Sequence, residues 1–272
     1  LKPDRRVPHR TLSDIEFGHF QRFIFDAAGI TLSPAKKALV CGRLAKRLQA
    51  TRLVGYAEYF ALLQSGRDPA EVQMAIDLLT TNETYFFRES RHFELLRSAA
   101  QQHGATPFRV WSAASSSGEE AYSIAMVLAD CRGGQPFDVV GTDISTRMLE
   151  KARAGHYPEQ RARQIPLPYL RRFCLKGQGP QAGTLLVARE LRQKVRFLHA
   201  NLNTKLPDLG SFDVVFLRNV MIYFNGDTKR EVVARVVSCV RPGGYLYIGH
   251  SESLHGIHDT MEQVAPSVYR KP

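Results

Sequence analysis

The sequence has little of what marks a membrane, secreted or metal-stapled protein. Its four cysteines, Cys41, Cys131, Cys174 and Cys239, are far apart and fit no metal-ligand spacing. That excludes a zinc ribbon or a disulfide framework, and reduced thiols of a cytosolic protein are the simplest account. No apolar run is long enough to span a bilayer. No charged-then-apolar signal segment opens the chain, which starts at Leu1 and reads as trimmed. Phosphate-cradling signatures are missing as well. G-x-x-x-x-G-K-[ST] occurs nowhere, and the one strand–turn–helix that resembles a dinucleotide grip has a single glycine, Gly118, where the fingerprint needs three. There is no internal repeat, no low-complexity tail and no recognisable Ser/His/Asp or Cys/His nucleophile pattern. His255-x-x-His258 lies in a glycine-containing loop without a carboxylate or cysteine to complete a metal site, and reads as a surface pair.

What is present is ordinary globular material, 44% hydrophobic and 23% charged over 272 residues, enough for a large core. The net charge of +11 points to acidic partners: nucleic acid, an anionic membrane or an acidic protein. Residues 1–85 read as helices only. Ser13-x-x-Glu16 is a capping box, and Ser33-Pro34 opens a second helix. On that helix Leu44 and Leu48 share a side with Cys41 and Ala45, while Lys36, Arg43, Lys46 and Arg47 form a basic stripe. Two more helices are expected near 56–64 and 69–80.

From Phe108 the pattern changes. Strands are expected at 108–113, 137–142, 195–200, 212–217 and 245–249, with helices at 119–129, 146–154 and 228–240. Arg241-Pro242-Gly243-Gly244 reads as a turn, and 267–270 as an edge strand. This alternation implies a doubly wound parallel sheet. Between 170 and 195, glycines 177, 179 and 183 with Pro180 interrupt it, predicting a small hairpin insert of two or three strands.

The stretch "VWSAASSSGEEAYSIAM" (110–126) sets the ligand question. Glu119 and Glu120 at a helix start complement the helix dipole and would repel a pyrophosphate. Dipole complementation suffices for Glu119; Glu120 is read as a ligand contact. Carboxylates there suit a nucleoside that carries a cation and no phosphate, and S-adenosylmethionine fits. Asp143 ends the second strand, where ribose hydroxyls are held in such folds, although a turn aspartate would look the same. Asn201 and Asn219 end the third and fourth strands at the same edge, as adenine or methionine contacts or as turn formers.

"TTNETYFFRE" (80–89), "WSAASSSGEEAYS" (111–123), "GTDIS" (141–145), "RNVMIYF" (218–224) and "GHSESL" (249–254) together resemble the chemotaxis receptor methyltransferases, the CheR family. The match is in order and covers nearly the whole chain. Some members differ in the first loop by glycine for alanine or cysteine for serine, and many have proline where this chain has Ala121. The resemblance implies a Rossmann-like S-adenosylmethionine-dependent methyltransferase domain (86–272) with an N-terminal helical domain (1–85) and a small antiparallel β-subdomain insert (170–195). It implies cofactor contacts from Asn82, Thr84, Arg88, Glu120, Asp143, Asn201, Leu202, Asn219 and Val220, with Arg88 and Tyr223 near the methyl group. The expected reaction is methyl transfer to glutamates on the cytoplasmic helical bundle of chemoreceptors, leaving S-adenosylhomocysteine.

A free glutamate, with a pKa of about 4.3, is already ionised at neutral pH, so the transfer needs no general base. Positioning then carries the catalysis. Arg88 can fork a carboxylate or pair with Glu89, and Tyr223 can orient the substrate or pack in the core. The resemblance assigns the Lys36, Arg43, Lys46 and Arg47 stripe to the acidic receptor bundle. It assigns the hairpin, with Arg171, Arg172, Lys176, Gly177, Gly179, Gly183 and Arg189, to an acidic–aromatic peptide at the receptor C-terminus, added as an extra strand. A monomer without metal, nucleic acid or membrane insertion is expected. The alternatives are a nucleic-acid methyltransferase, though an Asn-Pro-Pro-Tyr strand tip is absent, and a non-catalytic cofactor-sensing protein that binds receptors.

Overall fold

The computed structural model describes residues 11–272; the first ten residues of the expected helical domain lie outside the described residues. Contacts divide the chain into two units, Leu1–Thr81 and Asn82–Pro272.

Among the described residues the first unit holds four α-helices: α1 (Asp14–Ala28), α2 (Lys37–Thr51), α3 (Tyr56–Ser65) and α4 (Pro69–Leu79). The capping box forms as expected. The Ser13 hydroxyl accepts from the Glu16 amide, while the Glu16 carboxylate accepts from the Ser13 amide at 2.9 Å. Pro34 starts a short 3-10 turn rather than α2 itself, so Lys36 precedes the α-helix. Phe20, Ile24, Leu44, Tyr59 and Ala75 close the core of this unit. Their spacing puts one apolar face of each helix inward.

The second unit starts with α5 (Arg91–Gln102), a helix the sequence reading missed, and then alternates as expected. β1 (Phe108–Ala113), α6 (Glu119–Cys131), β2 (Phe137–Asp143) and α7 (Thr146–Ala154) come first. β3 (His156–Pro158), α8 (Leu167–Phe173), β4 (Cys174–Lys176), β5 (Thr184–Val187) and α9 (Arg189–Arg192) follow. β6 (Val195–His199), β7 (Phe212–Leu217), α10 (Gly226–Ser238), β8 (Val240–Ile248), β9 (Glu262–Ala265) and β10 (Val268–Arg270) complete it. The seven-stranded sheet runs β6-β2-β1-β7-β8-β10-β9. Five strands are parallel; β10 is antiparallel to β8 and to β9. β1 and β7 lie side by side at the centre although far apart in sequence, so the strand order switches there, and such switch points carry ligands.

Three expectations change. Arg241–Gly244 is not a turn. The strand runs through it with a register shift, because the chain end returns to pair with it through Gly243 and Lys271. Residues 268–270 do not form the edge, since β9 lies outside them; β9 has no buried face and so gives no alternating pattern. The small sheet has three strands, β3-β5-β4, and β3 comes from outside 170–195. Three residues ending in proline carry no periodic signal.

Candidate active site

The loop after β1 is tightly wound. Ala114, Ser116 and Gly118 all have left-handed backbones, with φ of 61°, 49° and 94°. A Cβ on Gly118 would lie 2.9 Å from the Ala152 Cβ, so only glycine fits. Strained non-glycine residues persist only where the surroundings hold them, and they cluster at functional sites. Here β2 holds them. The Ser115 amide donates to the Thr142 carbonyl (2.7 Å), and the Ser116 amide to Asp143 Oδ2 (2.8 Å). Asp143 Oδ1 accepts from the Ser145 amide, and Ser145, not Asp143, caps α7. The buried Asp143 carboxylate thus ties the tip of β2 to the first loop.

Residues 82–87 are hydrogen-bonded to that loop, to α6 and to Arg161, which follows β3. Ser116 Oγ donates to the Asn82 carbonyl (3.0 Å), the Phe87 amide to Ser123 Oγ (3.0 Å), and Arg161 to the Thr84 carbonyl (2.6 Å). Arg161 also reaches Glu119 at 3.2 Å. Glu119, expected only to complement the dipole, is therefore buried, linked through Arg161 to the carbonyl of the cofactor candidate Thr84, and also accepts from Ser117 Oγ. Burial pushes its carboxyl up, opposed by Ser117 and Arg161. Glu120, expected to meet a ligand, accepts from Ser112 Oγ (2.7 Å) and pairs with Arg218 (3.0 Å). Burial raises it too, against the pull of Arg218 and Ser112.

Arg88 lies half-buried, donates to the Glu83 carbonyl (3.2 Å) and rests over the Tyr85 ring. It does not pair with Glu89, because Arg218 takes that carboxylate at 3.0 Å. At the other strand tips, Asn201 Oδ1 accepts from the Asn203 amide, a turn-forming role, and the Leu202 carbonyl accepts from Arg235. Asn219 is left-handed (φ 57°); its side chain donates to Glu89 Oε1 (3.3 Å) and its backbone amide donates to Glu252 Oε2 (2.9 Å). Val220 leads into the short turn Met221–Tyr223, where Tyr223 is half-buried.

Sequence reasoning missed the centre of this arrangement. The Arg218 side chain is 1% exposed and joins Glu89, Glu120 and the Arg88 carbonyl, which it meets at 2.5 Å. Burial alone would raise Glu89, but Arg218 outweighs it and holds the carboxyl below the ordinary range. A charged residue closing the apolar run "FDVVFL" was the available signal, since a buried cation must be paired. Glu252, also missed, accepts from the Gly249 (2.7 Å) and Asn219 amides and so clamps β8 to the tip of β7.

The residues expected at receptors are divided. Lys36 and Lys46 are exposed. Arg43 and Arg47 are engaged inside the helical unit: Arg43 donates to the Thr80 carbonyl (2.9 Å) past the end of α4, and Arg47 forks the buried Glu71 at 2.9 and 2.5 Å. The uncapped carbonyls and the buried carboxylate each needed a cation. In the small sheet β4 is an edge, with Leu175 and Lys176 exposed. Arg172 pairs with Asp130 (2.9 Å) and Lys176 with Glu159 (3.3 Å); Arg171 and Arg189 are exposed. A Cβ on Gly177 would lie 1.9 Å from the Gln181 carbonyl oxygen; Gly179 and Gly183 have open space around them. His258 bonds Thr260, and the 255–258 pair joins no metal-ligating cluster among the described residues. No helix is long and apolar enough to cross a membrane among the described residues.

Two family models match the chain: "CheR methyltransferase, all-alpha domain" over residues 15–80 and "CheR methyltransferase, SAM binding domain" over residues 82–270. Among curated relatives, chemotaxis protein methyltransferase 2 of Pseudomonas aeruginosa is 42% identical over 96% of this chain and 94% of its own length. The chemotaxis protein methyltransferase of Escherichia coli is 41% identical over 95% and 91%, and that of Salmonella typhimurium 41% over 90% and 86%.

Proposed function

The chain belongs to the CheR methyltransferase family, and from that premise we propose that it methylates glutamate side chains on the cytoplasmic helical bundle of chemoreceptors, using S-adenosylmethionine. The observation that carries this reading is the bond from Ser116, in the strained loop after β1, to the Asn82 carbonyl, with the same Ser116 held by Asp143 and with Thr84 held by Arg161. The donor set fits the cofactor. Carboxylates of Glu119 and Asp143 flank a loop of small residues with no lysine or arginine in it, which suits a cationic nucleoside and not a phosphate.

In this proposal Asn82, Thr84, Arg88, Glu120, Asp143, Asn201, Leu202, Asn219 and Val220 hold the cofactor. Asp143 meets the ribose, and the strand tips carrying Asn201 and Asn219 border the base. Glu120 acts through its pair with Arg218, and Glu119 joins the set. When bound, S-adenosylmethionine supplies a sulfonium methyl group, and an ionised glutamate oxygen that accepts it becomes a methyl ester as S-adenosylhomocysteine departs. Arg88 orients the incoming carboxylate by a forked contact, and Tyr223 borders the same space. Near-attack positioning is worth roughly 7–11 kcal/mol, and no proton has to move.

The same proposal gives the domains their tasks. The helical domain (1–85) docks on the acidic bundle through Lys36 and Lys46, with Arg43 and Arg47 stiffening the helices behind them. The methyltransferase domain (86–272) acts as a cytoplasmic monomer. The insert (170–195, with β3) takes a receptor C-terminal peptide on the free edge of β4, where Arg171, Arg172, Lys176 and Arg189 meet its acids. Methylation of nucleic acid is not favoured.

The test is calorimetry with S-adenosylmethionine and S-adenosylhomocysteine against NAD and ATP, followed by labelled-methyl transfer to receptor cytoplasmic fragments. The expected result is binding of the first pair alone and a base-labile methyl ester, with Arg88→Ala lowering kcat at least 100-fold, about 2.7 kcal/mol. Binding of ATP instead, or label on no glutamate, overturns the reading.

A further inference from the structure

Beside the proposed site, at the start of α5, lies a group of side chains that methyl transfer does not use. Glu89, His92 and His250 bring a carboxylate oxygen and two imidazole nitrogens within 4.8 Å of one another, the one such cluster among the described residues. His92 Nδ1 lies 3.5 Å from Glu89 Oε2, and His250 Nε2 lies 3.8 Å from the same oxygen. His92 is 1% exposed, yet neither of its ring nitrogens has a hydrogen-bond partner in the protein. A buried, unpaired polar ring is costly, so this one needs a function or a ligand.

We propose that Glu89, His92 and His250 form a binding site for a transition-metal ion of the Zn²⁺, Co²⁺ or Ni²⁺ type. Two imidazoles and one carboxylate are the donors such ions favour, whereas Ca²⁺ and Mg²⁺ require oxygen shells. Ligand atoms around a tetrahedral ion at about 2.0–2.1 Å stand roughly 3.3 Å apart, so small side-chain rotations suffice. The framework is stiff. Glu89 is fixed in a left-handed conformation (φ 56°), and His92 is packed against Tyr247 and Phe216. His250 is half exposed and opens the path from solvent.

The local charge permits the ion. Arg218 sits on the Glu89 carboxylate, but Glu120 pairs with its far side, so two carboxylates face one guanidinium. An ion would draw on the same Glu89 carboxylate that holds Arg218, the Asn219 side chain and the His250 amide. Occupation therefore loosens Asn219 and lowers cofactor affinity.

The test is titration of the intact chain with Co²⁺ and Zn²⁺, by visible absorption and calorimetry. A single saturable site is expected, without the thiolate bands that Cys41, Cys131, Cys174 or Cys239 would give. His250→Ala, an exposed change that does not threaten folding, should weaken binding at least tenfold. His258→Ala should leave it unchanged. Zn²⁺ at saturation should weaken S-adenosylhomocysteine binding in the wild-type chain and not in His250→Ala. No saturable binding, or equal binding by His250→Ala, overturns the site; unchanged nucleoside affinity overturns its coupling to the strand tips.

Discussion

Replacing Arg218 by methionine isolates the ion cluster from the rest of the fold. Methionine keeps an apolar stem of similar reach to the arginine's and loses the guanidinium, whose Cζ stands 5.8 Å from the centroids of the Phe93 and Phe216 rings. Glu89 and Glu120 then remain in place without their shared cation, and the Arg88 carbonyl loses its donor. Breaking a buried pair from one side costs about 3–5 kcal/mol, because an uncompensated charge stays behind. For a unit of this size that is a fall in Tm of roughly 6–20 °C. The only tryptophan, Trp111, is fully buried in β1, so its fluorescence reports the second unit alone.

Adding Glu120→Gln to Arg218→Met removes one of the stranded charges. It should restore part of the loss, with a coupling of about 0.5–3 kcal/mol in a double-mutant cycle. Arg218→Lys should fall between, since an ammonium cannot fork two carboxylates and a carbonyl together. A loss below about 1 kcal/mol for Arg218→Met, with no rescue, would mean that the cluster is wet and weakly coupled, and the reasoning would fail.

Three further outcomes follow from single positions. Gly118→Ala combines a left-handed backbone with a 2.9 Å approach to Ala152, so it should cost roughly 2–5 kcal/mol and abolish S-adenosylmethionine binding; a stable variant with native affinity by calorimetry would contradict it. Burial alone would raise Glu71, but hydrogen bonds from Arg47 and Tyr59 outweigh it and hold its carboxyl below the ordinary range. A depressed folded pKa gives stability that is present above the unfolded value, near 4.3, and lost as pH falls through the folded one. Hydrogen-exchange protection factors across residues 37–79, corrected for the intrinsic pH dependence of amide exchange, should therefore fall on acidification below about pH 4–5, and Glu71→Gln should flatten that dependence. Gly177→Ala would drive a Cβ to 1.9 Å from the Gln181 carbonyl oxygen; binding of a receptor C-terminal peptide should drop at least tenfold by fluorescence anisotropy while S-adenosylhomocysteine affinity holds.

The sheet was legible because its central strands are continuous β-branched and aromatic runs, such as "FDVVFL", followed by amphipathic helices. Its edges were not. β9 buries nothing and β3 is three residues long, so neither leaves a periodic trace. The proline and two glycines at 242–244 carried the signal of a turn, and only the returning chain end, through Lys271, turns them into strand. Local rules lose to a ladder partner that is remote in sequence.

The candidate site divides along the same line. Asp143 and the single-glycine loop could be read one segment at a time, since each ends a strand and starts a helix. The partners of Glu120 could not. Arg218 stands 98 positions away and Glu89 lies in another segment, so the pairing is a property of the sheet order that sets β7 beside β1. That order also explains the strain. Ala114, Ser116, Glu89 and Asn219, on three separate segments, are all left-handed; Ser116, Glu89 and Asn219 are held by hydrogen bonds from neighbouring segments, and Ala114 precedes Ser115, whose amide is held by Thr142. Residues that would relax alone are kept in place together. A substitution at any one of them should loosen the others, which is the behaviour of a preorganised site and not of four independent turns.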